Sequence, residues 1–313
     1  MKLTDRCNAE PSRSGAERSL ARAHRGEIDL ELELRHGGSA AISLRYEMVG
    51  DGPKVLVAAG GISAGRHLVS SEQFRGAGWW EAQAQSLGRR DLRLLSIDWV
   101  GADGELDLPI DASDQADAIA ALLDHLGIGR ISAFIGASYG GMVALQFAAR
   151  HQERCNAILV ISAAGASHPF ASACRSLQRR ALELGEESGE GRRGVALARA
   201  MAMLTYRTPD EFEHRFNFLP RIEEGRVRVG ADDYLDHHGR SHAERMSAAA
   251  YRRLSESIDL HRLDPGAISV PATLVAVDSD TLVPAKDVEA LAAAVPSASF
   301  RLIASRFGHD AFL

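Results

Sequence analysis

The chain has 313 residues, of which 45% are hydrophobic and 25% charged, and its formal net charge is −6. The acidic balance argues against general nucleic-acid binding, and no apolar run approaches the roughly 18 residues that a membrane-spanning helix needs. The three cysteines (Cys7, Cys155 and Cys174) show no C-x-x-C spacing, and no signal-like segment opens the chain. We therefore predict a reduced, cytoplasmic location, with no disulfide framework, no metal site and no membrane association.

The first half of the chain alternates between strand and helix patterns. Residues 1–26 are polar and aperiodic and predict a flexible N-terminal extension. Strands are then predicted over residues 28–34, 41–48, 55–59, 92–97, 131–135 and 157–162, and helices over residues 79–87, over residues 113–126 and directly after Ser138. Gly37-Gly38 predicts a hairpin, and Ser113 or Asp114 is predicted to cap the second helix. The alternation indicates a mainly parallel sheet with helices on both faces.

The pattern changes after Gly165. Helical periods appear over residues 175–184, 195–204, 210–216 and 243–258, with almost no strand-like run. The sheet pattern then resumes with a strand at 272–277, a helix at 285–294 and a strand at 300–303. This organisation predicts a core formed by residues 27–165 and 263–313, with a helical lid inserted at residues 166–262.

The segment at residues 131–150 carries the strongest chemical signal. An apolar strand meets the turn G-A-S-Y-G, with Ser138 at its apex, and a helix follows at once. This layout is typical of a nucleophile elbow, which presents the serine hydroxyl to a base. Gly136 and Gly140 suit the turn because a side chain at either position would collide.

Chain order selects between the known triad arrangements. In α/β-hydrolase-like enzymes the nucleophilic serine is followed by the acid and then by the histidine. Asp280 follows the strand predicted at 272–277 and is preferred over Asp278 as the acid. His309 follows the last predicted strand after a short loop and a glycine. We predict that Ser138 attacks, that His309 takes and returns the proton, and that Asp280 orients the imidazole.

An oxyanion hole needs two N–H donors. The first is predicted to be the backbone N–H of Tyr139, the residue after the nucleophile. The second should come from the loop after the strand at 55–59, and the sequence leaves Gly61 and Ile62 open for this role.

Four stretches carry a resemblance to a known family. They are ASYGGMVALQFA (137–148), AMAMLTYRTPDEFEHRF (200–216), YLDHHG (234–239) and GHDAFL (308–313). Together they resemble the homoserine O-acyltransferases, enzymes of the α/β-hydrolase fold that make the activated homoserine ester for methionine synthesis. The resemblance covers most of the chain from about residue 40 and includes the predicted lid.

The resemblance implies further properties of the site. It implies the same triad and a ping-pong reaction, in which acyl-CoA acylates the serine and the homoserine hydroxyl then attacks the acyl-enzyme. Arg207 matches a family arginine that binds substrate, and Asp310 matches a carboxylate for the substrate ammonium. No cofactor is implied beyond acyl-CoA as co-substrate, and a homodimer through the lid helices is expected. The face of Leu197, Met201 and Leu204 is either that interface or lid core.

The chain also departs from the family pattern. The usual His-x-x-Thr-Gly stretch of the oxyanion loop is replaced by AAGGISAG at residues 58–65, which leaves the choice of donor and acceptor open. The sequence ends at Leu313, where family members continue into a final helix, so His309 is expected to be less well braced.

Several alternatives remain at this point. The acyl donor is acetyl-CoA or succinyl-CoA, and the acceptor is homoserine or serine; a lidded carboxylesterase and a non-enzymatic scaffold are further readings. A succinyl donor needs a cation near the acyl group, for which Arg66, Arg75 and Arg306 are candidates. The arginine-rich residues 175–193 are a candidate surface for the CoA phosphates. The polar segment 232–238 is predicted to be a loop, because it lacks the spacing of a metal site.

Overall fold

A computed structural model of the protein describes residues 21–87 and 91–313. Its strands are β1 (Ala23–Leu34), β2 (Gly38–Val49), β3 (Lys54–Ala59), β4 (Leu92–Ile97), β5 (Ala133–Ala137), β6 (Ile158–Ile161), β7 (Arg221–Glu223), β8 (Arg226–Arg228), β9 (Ala272–Val277) and β10 (Ala298–Ile303). Its helices are α1 (Glu81–Ser86), α2 (Ala112–His125), α3 (Tyr139–Arg150), α4 (Pro169–Glu187), α5 (Gly191–Tyr206), α6 (Pro209–Phe216), α7 (Asp232–Ala243), α8 (Ala248–Leu260) and α9 (Ala285–Ala294).

Eight of these strands form one sheet in the order β1-β2-β4-β3-β5-β6-β9-β10. The pairs β1–β2 and β2–β4 are antiparallel, and every other neighbouring pair is parallel. Parallel strands end at the same edge of a sheet, so the loops after β3, β5, β6 and β9 gather there. This edge is where Ser138 and Asp280 lie.

The central strands are buried on both faces of the sheet, and β3 is an example. Val55, Val57 and Ala59 belong to one apolar cluster, whereas Leu56 and Ala58 belong to another. Successive side chains of a strand point to opposite faces, so a continuous apolar run indicates a strand covered on both sides. The predicted mainly parallel sheet with helices on both faces is confirmed.

Most elements of the core agree with the predictions, but the start of α2 differs. The helix is capped by Asp111, whose carboxylate accepts hydrogen bonds from the N–H groups of Ser113 and Asp114. The Asp114 side chain in turn accepts from the N–H of Asp111, which completes a capping box. The prediction of Ser113 or Asp114 as the cap was therefore wrong, although Asp114 takes part in the motif.

The N-terminal boundary also differs from the prediction. Strand β1 begins at Ala23 and pairs with β2 from that residue onward, with Ala23 opposite Val49. Residues 23–26 therefore belong to the sheet rather than to the predicted extension. Residues 1–20 of that extension lie outside the described residues.

Helices α4–α8 and the hairpin β7–β8 lie between β6 and β9, within the segment predicted as a helical insertion. Two predictions inside it were wrong. Residues 232–238 begin α7 instead of forming a loop, because Asp232 and Asp233 open the helix and pair with Arg228. The predicted helix at 243–258 is divided, since Ser247 caps α8 by accepting a hydrogen bond from the N–H of Ala250 at 3.2 Å.

Candidate active site

Ser138 sits at the sharp turn between β5 and α3. Its backbone has φ 54° and ψ −120°, a conformation that non-glycine residues rarely adopt and that is often found at functional sites. A Cβ on Gly136 would lie 2.2 Å from the carbonyl oxygen of Gly140, and one on Gly140 would lie 2.2 Å from that of Ala59. The two glycines therefore allow the close approach of backbone segments that the turn requires, as predicted.

The structure brings the three predicted triad residues together. His309 Nε2 lies 2.7 Å from Ser138 Oγ, and His309 Nδ1 lies 2.7 Å from Asp280 Oδ2. His309 belongs to a short 3-10 turn at Gly308–Phe312, and the ring of Tyr206 stacks on its imidazole with centroids 5.9 Å apart. This arrangement can transfer the hydroxyl proton to the imidazole and activate the serine oxygen as a nucleophile.

The C-terminal turn that carries His309 is held at several points. The indole N–H of Trp80 donates to the carbonyl of Phe312 at 3.0 Å, and the hydroxyl of Thr208 donates to the carbonyl of Arg306 at 2.7 Å. Gly308 has φ 63° and donates its N–H to the Ser279 hydroxyl at 3.1 Å. These contacts brace the histidine, contrary to the expectation that it would be less well held.

The two candidate acids have different surroundings. Asp280 Oδ1 accepts hydrogen bonds from the N–H groups of Leu282 and Val283, which leaves Oδ2 for His309. Asp278 Oδ1 instead accepts from the N–H of Ser305 at 3.0 Å. The geometry therefore pairs the histidine with Asp280, the preferred residue.

In this buried pair, Asp280 and His309 each stabilise the charged form of the other. Burial alone would raise the pKa of Asp280, but the charge and hydrogen bond of His309 hold it below its usual range. Burial alone would lower the pKa of His309, but the charge and hydrogen bond of Asp280 raise it above its usual 6.5. The Asp310 charge adds to this increase and the Arg175 charge opposes it.

A cavity of about 210 Å³ opens in front of Ser138. Core residues on its wall include His309 and the three predicted oxyanion residues, Tyr139, Gly61 and Ile62. The loop at Gly61 is fixed because its carbonyl accepts hydrogen bonds from Trp99 Nε1 and the N–H of Ala64. The described structure thus groups the predicted oxyanion residues around the serine, with Gly61 and Ile62 both still candidates for the second donor.

Arg207 and Asp310 form an ion pair, with Arg207 Nε 2.9 Å from Asp310 Oδ2. Arg207 also donates to Glu211 at 3.0 Å, and Asp310 lines the cavity. Burial raises the pKa of Asp310 more than the charges of Arg207, His309 and Arg199 lower it. The two residues predicted for substrate binding therefore contact each other. Asp310 follows His309 and lines the cavity, whereas Arg207 lies behind Asp310 and is not among the residues of the wall.

The cavity wall also contains Arg175, Arg199 and Ser162. Arg175 was predicted only as part of a candidate surface for the CoA phosphates, and neither Arg199 nor Ser162 was predicted as a site residue. Ser162 follows β6 with φ 52°, and its buried hydroxyl has no hydrogen-bond partner among the described residues. Arg175 lies on the face of α4 that carries the buried Ala171, Gln178 and Leu182. Helical spacing places Arg175 on this buried face, but which face of α4 is buried becomes known only from the structure.

The earlier candidates for a cation near the acyl group lie elsewhere. Arg66 pairs with Asp98, and Arg306 is exposed and lies over the ring of Phe307. Arg75 is also exposed. Among the described residues that line the cavity, the arginines are instead Arg175 and Arg199.

Comparison with known proteins places this geometry in a family. A family model described as the alpha/beta hydrolase fold matches residues 54–313. The chain is 51% identical to a homoserine O-succinyltransferase of Xanthomonas campestris, over 93% of this chain and 80% of that protein. The chain belongs to the homoserine O-acyltransferase family. It is therefore an acyltransferase of the α/β-hydrolase fold.

Two further similarities agree with this family assignment. The chain is 37% identical to a homoserine O-acetyltransferase of Thermus thermophilus, over 66% of this chain and 55% of that protein. The chain thus matches little more than half the length of this relative. The crystal structure of a homoserine O-acetyltransferase from Bacillus anthracis is similar in fold, with a TM-score of 0.82, 15% identity and 92% coverage of both chains.

Two kinds of feature are absent from the described residues, 21–87 and 91–313. No group of three or more His, Cys, Asp or Glu side chains in these ranges is placed to hold a metal ion. The acidic residues near His237 and His238 instead pair with arginine: Arg228 contacts both Asp233 and Asp236. Within the same ranges, no helix is both long and apolar enough to cross a membrane.

Proposed function

We propose that this acyltransferase moves an acyl group from acyl-CoA to the hydroxyl of L-homoserine through an acyl-Ser138 intermediate. The observation that carries the proposal is the Ser138–His309–Asp280 arrangement, with 2.7 Å contacts on both sides of the imidazole, at the wall of a cavity. The family supplies the substrates, and the ester formed belongs to methionine biosynthesis as the resemblance implies.

The first half-reaction forms the acyl-enzyme. Ser138 Oγ attacks the thioester carbonyl while its proton passes to His309 Nε2. The oxyanion accepts hydrogen bonds from the N–H of Tyr139 and from one N–H of the Gly61–Ile62 turn. The carbon–sulfur bond then breaks, and the CoA sulfur takes the proton from His309 as it leaves.

The second half-reaction transfers the acyl group. The homoserine hydroxyl attacks the acyl carbonyl and gives its proton to His309 Nε2. The bond between the carbonyl carbon and Ser138 Oγ breaks, and the proton returns to that oxygen. The product is an O-acylhomoserine, and the enzyme regains its starting state.

Arg207 and Asp310 are proposed to bind the amino-acid part of the acceptor. The carboxylate of homoserine pairs with the Arg207 guanidinium, and its ammonium pairs with Asp310. When zwitterionic homoserine binds, its two charges replace the contact between Arg207 and Asp310 with two new ion pairs. The net charge of the site therefore does not change. The same clamp fits serine, which makes serine the alternative acceptor.

The insertion at residues 166–262 is proposed to act as a lid. Helices α4, α5 and α8 contribute Arg175, Arg199 and Tyr251 to the wall of the cavity that Ser138 also lines. An acyl-serine ester is open to hydrolysis, so a transferase has to limit water at this position. A carboxylesterase with the same triad has no such need, and it is the alternative activity.

The proposal is tested by thiol release from acetyl-CoA and succinyl-CoA, each with and without L-homoserine. We expect sustained release only when homoserine is present. Equal release without homoserine, or cleavage of simple esters alone, would contradict the transferase and favour the esterase. Replacing homoserine by L-serine in parallel reactions decides between the two acceptors.

Replacing Arg207 by glutamine is expected to raise KM for homoserine by about 10- to 100-fold, because a charged contact to the acceptor is lost. The KM for acyl-CoA should change much less. Arg215→Gln is the matched control, since Arg215 pairs with the same Glu211 at 3.1 Å but is not assigned to the substrate. An unchanged KM for homoserine in Arg207→Gln would show that the ion pair between Arg207 and Asp310 is structural and does not bind the acceptor.

A homodimer through the lid helices is the second part of the proposal. Leu177 and Leu184 on α4, and Leu197 and Leu204 on α5, are each more than half exposed. Each pair is seven residues apart, so each helix presents two leucines on one outer face. Leu197 and Leu204 are thus not lid core, and a second copy of this chain is proposed to cover them.

Sedimentation analysis tests the dimer. The double substitution Leu197→Gln and Leu204→Gln is expected to shift a dimeric species to a monomer at micromolar concentration. Leu302→Gln serves as the control, because Leu302 is also 56% exposed but lies on β10. A dimer that survives the double substitution would place the interface elsewhere.

We further propose that the reaction takes place in the cytoplasm, where the sequence analysis placed the chain. Of the three cysteines, Cys155 and Cys174 fall within the described residues, and both are free thiols. Free thiols are compatible with a reducing compartment.

A further inference from the structure

One cluster of charges that reaches the cavity wall through a single residue is not used by the proposed chemistry. Arg175 and Arg179 on α4 both contact Asp259 on α8, at 2.7 Å and 2.9 Å. The side chains of all three residues are less than one-fifth exposed. Of these three, Arg175 lines the same cavity as Ser138.

The cluster carries one more positive than negative charge. Among the described residues, Asp259 is the only carboxylate within 4.0 Å of either guanidinium group. Two carboxylates line the cavity, Asp287 and Asp310, but neither forms an ion pair with Arg175 within that distance. A largely buried cation without its own counter-charge is costly, and an anionic ligand removes that cost.

The orientation of Arg175 leaves part of its guanidinium for such a ligand. Its Nε and one terminal nitrogen contact Asp259, and that same nitrogen contacts the hydroxyl of Ser167. Its other terminal nitrogen, Nη1, has no hydrogen-bond partner among the described residues. Asp259 and Ser167 therefore fix the side chain in place, a preorganisation that suits recognition of a carboxylate.

The second arginine of the cavity wall has a different neighbourhood. Arg199 lies over the ring of Tyr206, with its Cζ 5.1 Å from the centroid. Its charge also helps to lower the pKa of Asp310, the residue proposed to bind the acceptor ammonium. Arg199 thus lies near the residues proposed to bind the acceptor. Arg175 is the other arginine of the cavity wall and is the candidate to contact the acyl group.

We propose that Arg175 binds the free carboxylate of a dicarboxylic acyl chain and so selects a succinyl donor over an uncharged one. This inference rests on the proposed acyl transfer and specifies its donor. The thioester carbonyl of the donor lies at Ser138, and its terminal carboxylate meets the unpaired face of Arg175. A neutral chain in the same place leaves the excess charge of the cluster uncompensated.

The test compares kcat/KM for succinyl-CoA with that for butyryl-CoA, a donor with the same number of acyl carbons and no charge. Wild type is expected to prefer succinyl-CoA. Arg175→Gln is expected to lower the ratio of the two values by about 30- to 100-fold, the effect of one charged hydrogen-bonded contact. Measuring a ratio keeps the result independent of any general loss of active protein, and butyryl transfer reports that the variant is folded.

Two control variants make the assignment specific. Arg199→Gln removes the other arginine of the cavity wall and is expected to keep the donor ratio within about threefold of wild type. Arg179→Gln removes the excess charge of the cluster but leaves Nη1 of Arg175 in place, so it is expected to lower the ratio clearly less than Arg175→Gln does. An unchanged ratio in Arg175→Gln, or an equal loss in either control, would overturn the assignment of Arg175. Wild type that transfers both donors equally to homoserine would overturn the inference but not the transferase. Wild type with no homoserine-dependent release from any donor would overturn both.

Discussion

Replacing Ser138 by alanine is expected to lower homoserine-dependent thiol release by about 10⁵-fold or more, because the acyl-enzyme can no longer form. The rest of the site should stay in place. Ser138 Oγ contacts His309 at 2.7 Å, but the imidazole keeps its second contact to Asp280 in the variant. The measurement is steady-state thiol release with both acyl-CoA donors at saturating homoserine.

A structural explanation for this loss is excluded by a stability control. The Ser138→Ala variant should unfold within a few degrees of wild type in thermal denaturation, since the substitution removes one hydroxyl and no core packing. A stable variant that retains more than about 1% of wild-type turnover would show that acyl transfer does not pass through Ser138.

Replacing Asp280 by asparagine is expected to lower kcat by about 10⁴-fold, because the imidazole loses its orientation and the stabilisation of its charged form. The pH profile should change as well. Asp280 raises the pKa of His309 above 6.5, so wild-type kcat/KM should decrease as the pH falls through a value above 6.5. In the variant this acid limb should move to lower pH, because the neutral base then persists further into acid.

Asp278→Asn is the matched control for this prediction. Asp278 is two residues from Asp280, and it binds the N–H of Ser305 rather than the imidazole. Its replacement should leave kcat and the acid limb close to those of wild type. If Asp278→Asn reduced turnover as strongly as Asp280→Asn, the assignment of the acid would be wrong.

The elbow and the triad were predictable because their signals are either local or ordered along the chain. The turn at Ser138 is specified by neighbouring glycines, whose close contacts the structure shows. The acid and the base lie 29 residues apart, yet each directly follows a strand of the same parallel sheet. Parallel strands carry both residues to one edge, so chain order was enough to bring them together.

The arginines of the cavity were not predictable in the same way. A run of arginines on a helix usually faces water, and the sequence gives no local sign that α4 turns Arg175 inward. Its partner Asp259 lies 84 residues away on α8. The inward position thus depends on how two helices of the insertion pack, which is a tertiary property that a single sequence does not display.

The start of α7 was missed for a related reason. Five of the seven residues at 232–238 are Asp or His, and Tyr234 and Leu235 alone do not make an apolar face, so periodicity favoured a loop. In the structure, Arg228 at the end of β8 pairs with Asp232, Asp233 and Asp236. These ion pairs and the acidic first turn favour the helix, and neither is visible in a hydrophobic pattern.

The most direct test of the central claim is mass spectrometry of the protein after mixing with succinyl-CoA or acetyl-CoA in the absence of an acceptor. The account predicts an acyl group on the peptide that contains Ser138, and its rapid removal as O-acylhomoserine when L-homoserine is added. An unmodified Ser138 peptide, with O-acylhomoserine still formed at the full rate, would show direct transfer between the substrates and contradict the acyl-enzyme mechanism.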